Sequence, residues 1–254
     1  MTVPTLSFEN LRTLTEQTSV ASVSDVMSPK AHRVVIPGLI AVRPDKKLFG
    51  QAVTVRSLPA REDCVTDTQE AFAEKVASGD PMMYALKLCG PGKVLVVDAS
   101  GYADAAIGGD IKFAILDEFG CEGLVTDGAI RDQREFRQEF DFATYCKGFT
   151  PLVGTGRVLF ARDVNIDINC GGVLVRPGDY IFGDDDGVIV IPEAQIERTL
   201  NAAVATEKFH RYIREKSVRE QITFGDIVPN QAQWMDDFFA WANLTPEQKA
   251  ILDR

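Results

Sequence analysis

Apolar positions along the first thirty residues recur at helical spacing. Phe8, Leu11 and Leu14 share one face of a helix over Phe8 to Thr15, and Ser22 to Met27 reads as a second short helix stopped by Pro29. The period then changes. Leu39 to Val42 and Gln51 to Leu58 alternate apolar and polar residues, which predicts strands. Asp67 to Ala77 and Met82 to Cys89 return to helical spacing before Gly90-Pro91-Gly92 breaks the chain. Val94 to Asp98 (VLVVD) is a continuous apolar strand of the kind buried on both faces. A helix entered at Gly108-Gly109-Asp110 and a strand at Leu124 to Thr126 complete a βαβ unit, so the sheet is at least partly parallel. Phe142 to Tyr145 reads as another short strand. From Thr155 the spacing predicts a meander: Asn165 to Asn169, Val173 to Arg176, Tyr180 to Phe182 and Val188 to Ile191, separated by glycine-bearing turns. Pro192 to Lys216 is a long helix with Ile196, Leu200, Val204 and Ile213 on one side. Trp234, Phe238, Phe239 and Trp241 follow, too many aromatics to leave in water.

Composition narrows the function classes. The chain has 254 residues, 45% of them hydrophobic, enough for one large domain or two small ones around a real core. Its net charge of −10 argues against nucleic acid as a partner, which calls for a basic face, yet leaves room for an anionic substrate in a locally positive cleft. No apolar run approaches the roughly 18 residues of a membrane span, and the first residues lack the layout of a signal peptide, so no membrane is expected and cytoplasm is the default. Five cysteines without a close pair suggest neither a disulfide framework nor a zinc knuckle. His32 and His210 have no ligand-like neighbours. A metal here would have oxygen ligands, which favours magnesium or manganese.

The candidate chemistry lies between Ile107 and Glu135. Arg131 and Asp132 follow a strand end and a turn at Asp127-Gly128, where open α/β sheets bind ligands. Arg is a forked carboxylate clamp and Asp a hard oxygen ligand, although such a pair also serves as a surface ion pair or helix cap. The amides after Gly108-Gly109 suit an anion, or Asp110 simply caps the helix. Glu135 is an i,i+3 partner of Asp132 or a supporting acid. Arg56 reads as a solvated strand residue or one facing substrate. Asp184-Asp185-Asp186-Gly187 reads as a hairpin turn, lacking the ligand pattern of a calcium loop. Glu207, mid-helix among charged residues, has plain solvation as its simplest reading.

The run GGDI…GLVTDGAIRDQRE resembles the class II pyruvate aldolases that act on 4-hydroxy-4-methyl-2-oxoglutarate and 4-carboxy-4-hydroxy-2-oxoadipate. These share a superfamily with the regulator of ribonuclease activity A. VSDVM, GQAVTVR, GKVLVVDASG and CGGVLVRPGDYIFGDDDGVIVIP agree in order, so the likeness covers about residues 10 to 215. The family signature, a Gly, about twenty residues and then Arg-Asp-x-x-Glu/Asp, appears as Gly109 and Arg131 to Glu135. The resemblance implies an α/β fold, a swivelling ββα-type three-layer sandwich, here with a C-terminal helical extension. It implies a catalytic domain over 1–216; the aromatics of 217–254, which the resemblance does not cover, read as a tail docking on the core or a neighbouring subunit.

The same resemblance implies Mg2+ (or Mn2+) carried by Asp132 with water on most other positions. Arg131 would bind the pyruvyl group, and amides from Gly109, Asp110, Ile111 and Lys112 its carboxylate. Asp110 and, on spacing alone, Glu207 of a neighbouring subunit would assist a water that takes the proton, with Glu135 in support. The implied activity is retro-aldol cleavage of a 4-hydroxy-2-oxo dicarboxylic acid to pyruvate, with oxaloacetate decarboxylation on the side, in a homotrimer or homohexamer. Related members read Gly-Glu-Leu-Leu where this chain has Gly109-Asp110-Ile111-Lys112. Two alternatives stand beside it: a non-enzymatic regulator of RNA processing, which lacks the Asp at the position of Asp132, and a metal-dependent lyase or hydratase for another 2-oxo acid.

Overall fold

The structure, a computed structural model, describes residues 6–64, 74, 79–154, 157–223 and 231–252. It divides into two compact units, one comprising Lys30–Glu193 and the other the chain's two ends, 1–29 and 194–254. The helix expected over Asp67 to Ala77 lies, apart from the helical Glu74, outside the described residues.

In the unit Lys30–Glu193, a nine-stranded mixed sheet is built among the described residues. Its strands are β1 (Val35–Ile36), β2 (Ile40–Ala41), β3 (Leu48–Pro59), β4 (Lys93–Asp98), β5 (Gly123–Thr126), β7 (Ala143–Cys146), β9 (Leu159–Val164), β12 (Tyr180–Asp184) and β13 (Gly187–Ile191). They run in the order β1-β13-β12-β3-β4-β5-β7-β2, with β9 pairing on β3. β3, β4, β5 and β7 are mutually parallel, and the outer pairings are antiparallel. Two short pairs lie off the sheet: β6 (Ala129–Ile130) runs parallel to β8 (Gly148–Phe149), and β10 (Ile168–Cys170) forms a hairpin with β11 (Val173–Val175).

β4 explains the layering. Successive strand side chains point to opposite faces. Leu95 and Val97 therefore join a core with Met82, Phe113 and Phe136, which belong to the helices α3 (Pro81–Leu88), α4 (Asp110–Glu118) and α5 (Gln133–Gln138). Val94 and Val96 join a second core with Ile168, Cys170, Val173 and Val175 of the hairpin. Both faces of the strand are buried, which is why its sequence shows no alternation. The result is a layer of helices, a central sheet and a β layer, the three-layer α/β arrangement expected.

Asn165 to Asn169 is not one strand. β9 ends at Val164, Asn165 takes a left-handed backbone (φ 52°), and pairing resumes only at Ile168. The alternation reflects a turn between two strands that pair with different partners. Arg56 forms an ion pair with Asp163 of β9 at 2.6 Å, so its guanidinium is committed to the sheet. The four cysteines whose side chains are described, Cys89, Cys121, Cys146 and Cys170, are free and buried, as small core residues.

The second unit is helical. α1 (Phe8–Thr15) and α2 (Val20–Met27), capped by Ser7 and Ser19, pack against α6 (Ile196–Glu220). α7 (Gln231–Trp241) and α8 (Pro246–Leu252) pack on the same long helix. Phe238, with no exposed surface, centres the cluster, with ring centroids 5.2 Å from Phe209 and 5.8 Å from Tyr212. Lys216 lies 4.1 Å over the Trp234 ring and 2.8 Å from Asp237. Truncating Phe238 to Ala removes a full ring from this cluster. It is expected to cost about 3 kcal/mol and to make α7 sensitive to limited proteolysis under conditions where the wild type resists.

Candidate functional site

The parallel strands β4 and β5 end side by side at Asp98 and Thr126, and the loops beyond them build the site. The segment after β4 lies along β6: Ala106 bridges to both Ala129 and Val153, the Ile107 N–H donates to the Ala129 carbonyl at 2.9 Å, and the Arg131 N–H donates to the Gly108 carbonyl at 3.2 Å. These bonds bring the Gly108-Gly109 entry of α4 against Arg131-Asp132.

The approach is close. A Cβ on Gly109 would fall 1.9 Å from Asp132 Oδ2 and 2.9 Å from Arg131 Nε, so any side chain there would push both groups aside. Asp132 has a left-handed backbone (φ 62°), a conformation Asp tolerates better than most residues, and it stands at the N-cap of α5 without a side-chain capping bond. Its carboxylate is turned instead toward α4, where Oδ2 accepts from the Asp110 N–H at 3.2 Å and lies 3.2 Å from Arg131 Nε. The two side chains are each about one third exposed, at 35% and 31%. The site thus sets one partly exposed carboxylate and one partly exposed guanidinium beside a helix N-terminus.

Behind it the α4 side chain of Lys112 folds back so that Nζ donates to the Ile107 carbonyl at 2.9 Å. Loss of water around this ammonium, opposed by Asp80 and reinforced by Arg131, pushes its pKa down to about 8. Ile111, by contrast, points outward and is 85% exposed.

The loops rest on Asp127, which sequence reasoning treated only as half of a turn. Its buried carboxylate accepts from the N–H groups of Ala99 (2.7 Å), Gly101 (2.8 Å) and Gly171 (3.2 Å). It thereby ties the end of β4, the end of β5 and the β10–β11 turn together. Asp98 plays a similar part toward Ser100 and Asn169. Burial pushes the Asp98 carboxyl above its ordinary range, and the charge of Asp127 adds to this. The available signal was an Asp at the end of each apolar parallel strand, VLVVD and LVTD.

The structure brings Gly109, Asp110, Arg131 and Asp132 together, with Lys112 behind them. Glu135 lies in the first turn of α5, where its N–H donates to the Asp132 carbonyl. Its carboxylate makes no bond to Arg131 or Asp132 among the described residues. Glu207 belongs to the helical unit, where its carboxylate accepts from Ser22 Oγ at 2.7 Å and Ser19 Oγ at 3.5 Å. It is held by side chains of α2, beyond the plain solvation of the simplest reading.

A model of the Aldolase/RraA family, RraA-like, matches residues 20–190, and the chain belongs to this family. It is similar to a protein of Halalkalibacterium halodurans named "Putative 4-hydroxy-4-methyl-2-oxoglutarate aldolase", with 41% identity over 51% of this chain and 61% of that one. It also matches Protein DlpA of Legionella pneumophila, with 30% identity over 75% of this chain and 28% of that protein. The match therefore spans about three fifths of the aldolase relative and a smaller part of DlpA. Among solved structures, Streptomyces coelicolor RraAS2, described as an unusual member of the RNase ES inhibitor RraA protein family, is similar with a TM-score of 0.70 and 28% identity. That likeness covers 82% of this chain and 98% of that one. An uncharacterized protein of Pseudomonas syringae shares the fold with a TM-score of 0.69 at 21% identity, over 86% of this chain and 96% of that one. Among the described residues no helix is long and apolar enough to cross a membrane.

Proposed function

We propose that the chain is a divalent-metal-dependent lyase that cleaves a 4-hydroxy-2-oxo dicarboxylic acid and releases pyruvate. The observation that carries this reading is the placement of Arg131 and Asp132 against the Gly109 entry of α4. In that entry, the absence of a side chain on Gly109 is what admits the Asp132 carboxylate, which a Cβ would meet at 1.9 Å. The aldolase names of the relatives support it.

The donor set fits a largely hydrated Mg2+ (or Mn2+). Asp132 Oδ2 is engaged by Asp110 and Arg131, which leaves Oδ1 without a protein partner among the described residues. No group of three or more His, Cys, Asp or Glu side chains that could cage an ion occurs among them. A single carboxylate with water on the other positions is a common way for Mg2+ to be held. When bound, such an ion supplies Lewis-acid stabilisation of the enolate that carbon–carbon cleavage leaves on the pyruvyl fragment.

The chain's own residues do the rest. The Arg131 guanidinium binds the pyruvyl oxygens and stabilises the developing negative charge. Amides around the Gly108-Gly109 entry of α4, at the positive end of the helix, hold the carboxylate. Asp110, and Glu207 of a neighbouring copy in a homotrimer or homohexamer, assist a water that takes the proton from the substrate hydroxyl. The same enolate arises when oxaloacetate loses CO2, which makes that acid a convenient substrate.

The test is pyruvate release measured with a coupled dehydrogenase, on oxaloacetate and on 4-hydroxy-4-methyl-2-oxoglutarate with Mg2+. Turnover is expected on at least one of them, and EDTA should reduce it more than about 100-fold with recovery on adding Mg2+. Metal-independent turnover, or none on either acid, would overturn the reading. Asp132 itself separates it from the protein-binding regulator, which the resemblance describes as lacking that residue.

A further inference from the structure

The Asp110 N–H donates to Asp132, so it is not turned toward a ligand in this structure. The donors next to it are the N–H groups of Gly108 and Gly109, which have no acceptor among the described residues. Their direction is set by the peptides to which they belong. In a trans peptide the N–H points opposite to the preceding carbonyl. The Gly108 carbonyl accepts from the Arg131 N–H, which fixes the Gly109 N–H, and the Ile107 carbonyl accepts from Lys112 Nζ, which fixes the Gly108 N–H. Two bonds, one from the Arg131 backbone N–H and one from the Lys112 ammonium, thus fix the directions of two adjacent amides.

Lys112 makes its bond under constraint. Its Cδ lies 2.9 Å from where a Cβ on Gly108 would stand, so the stem runs through the space that a side chain on this glycine would fill. An ammonium stripped of water gains more from such a carbonyl than one in solvent. The charges that face it are Asp80, which caps α3, and Arg131.

We propose that Lys112 is a positioning residue of the anion site: by holding the Ile107 carbonyl it keeps the Gly108 N–H turned, beside that of Gly109, toward the carboxylate of the 2-oxo acid. This rests on the function proposed above and adds to it. The amides that bind the carboxylate are those of the two glycines preceding α4, and a lysine side chain from the helix's own first turn sets their direction. The ammonium itself does not touch substrate. Its contribution is to ground-state and transition-state binding alike, so it should appear in affinity and KM more than in kcat.

The experiment compares wild type, Lys112→Met, Lys112→Gln and Lys112→Arg. Pyruvate affinity is measured by calorimetry with Mg2+, and kcat and KM are measured on oxaloacetate. Lys112→Met is expected to weaken pyruvate binding and raise KM about tenfold while kcat stays within about threefold. Lys112→Arg, long enough and charged, should recover most of the affinity. Gln ends one bond short of the lysine nitrogen and should behave like Met, which keeps the test decisive if the Met variant does not fold. Wild-type affinity in Lys112→Met or Lys112→Gln, a loss confined to kcat, or no recovery with Arg would overturn the inference while leaving the proposed function intact. A wild-type protein that neither binds pyruvate nor turns over either acid would remove both.

Discussion

Gly109→Ala is expected to lose at least about 100-fold in pyruvate release, with a melting temperature close to that of the wild type. The backbone at Gly109 (φ −139°, ψ −163°) is extended and open to any residue, so alanine brings no backbone strain. The harm comes from the methyl group. It would sit 1.9 Å from Asp132 Oδ2 and 2.8 Å from Arg131 Cγ, and both side chains must move aside. They are each about one third exposed, so they can swing outward into solvent at little cost to folding. The result separates two accounts of this glycine. If it only serves as the helix N-cap, alanine costs a little stability and leaves turnover unchanged. If it admits the Arg–Asp pair to the helix N-terminus, turnover falls as it would for Asp132→Ala or Arg131→Ala.

Asp127→Ala is expected to have the largest effect on stability, about 5 kcal/mol, because it leaves three N–H groups without their charged acceptor in a buried setting. For a chain of this length that corresponds to a fall of roughly 10–15 °C in melting temperature, measured by calorimetry. Asp127→Asn keeps an acceptor oxygen but loses the charge and should fall between the two. It also removes one of the influences that raise the Asp98 carboxyl, so Asp98 should titrate nearer its ordinary range when followed by NMR. The sign follows from linkage. A carboxyl raised in the folded state favours the protonated form there, so its contribution to stability declines as pH rises through the interval between its unfolded and folded values. That decline should shrink in Asp127→Asn. An alanine variant as stable as wild type would show that the loops carry themselves.

Much of the architecture could be read from local pattern. α1 runs from Phe8 to Thr15 as the apolar spacing predicts, and the unbroken VLVVD run becomes a strand with Leu95 and Val97 in one core and Val94 and Val96 in the other. Patterns of this kind encode which faces are buried, and burial is what the period reports. The limits appear where a strand's partner is distant. β9 pairs with β3 about a hundred residues away, and nothing local at Leu159 marks that pairing. Asn165 to Asn169 alternated convincingly, yet the left-handed turn at Asn165 divided it.

The site shows the same division. Gly109 and Arg131 lie 22 residues apart in sequence, and no local pattern requires that they meet. The bonds that join them, from Arg131 to Gly108 and from Asp110 to Asp132, run between loops whose course depends on strand pairing. Asp127 went unrecognised because Asp-Gly after a strand is ordinary turn chemistry. Its importance lies in three amides from three other places in the chain, which no spacing rule records. The tail's aromatics were legible as a group needing cover, but not their partner, the later half of α6.

Both tryptophans of the chain, Trp234 and Trp241, stand on α7, one of them beneath the Lys216 ammonium. Indole emission from this protein is therefore a private signal of the helical unit. A denaturation curve followed at tryptophan wavelengths would track that unit, whereas circular dichroism would report the helices and strands of both units together. Two probes that fail to coincide would not mean a misfolded preparation. They would show the two units melting in sequence, with the optical label built into only one of them.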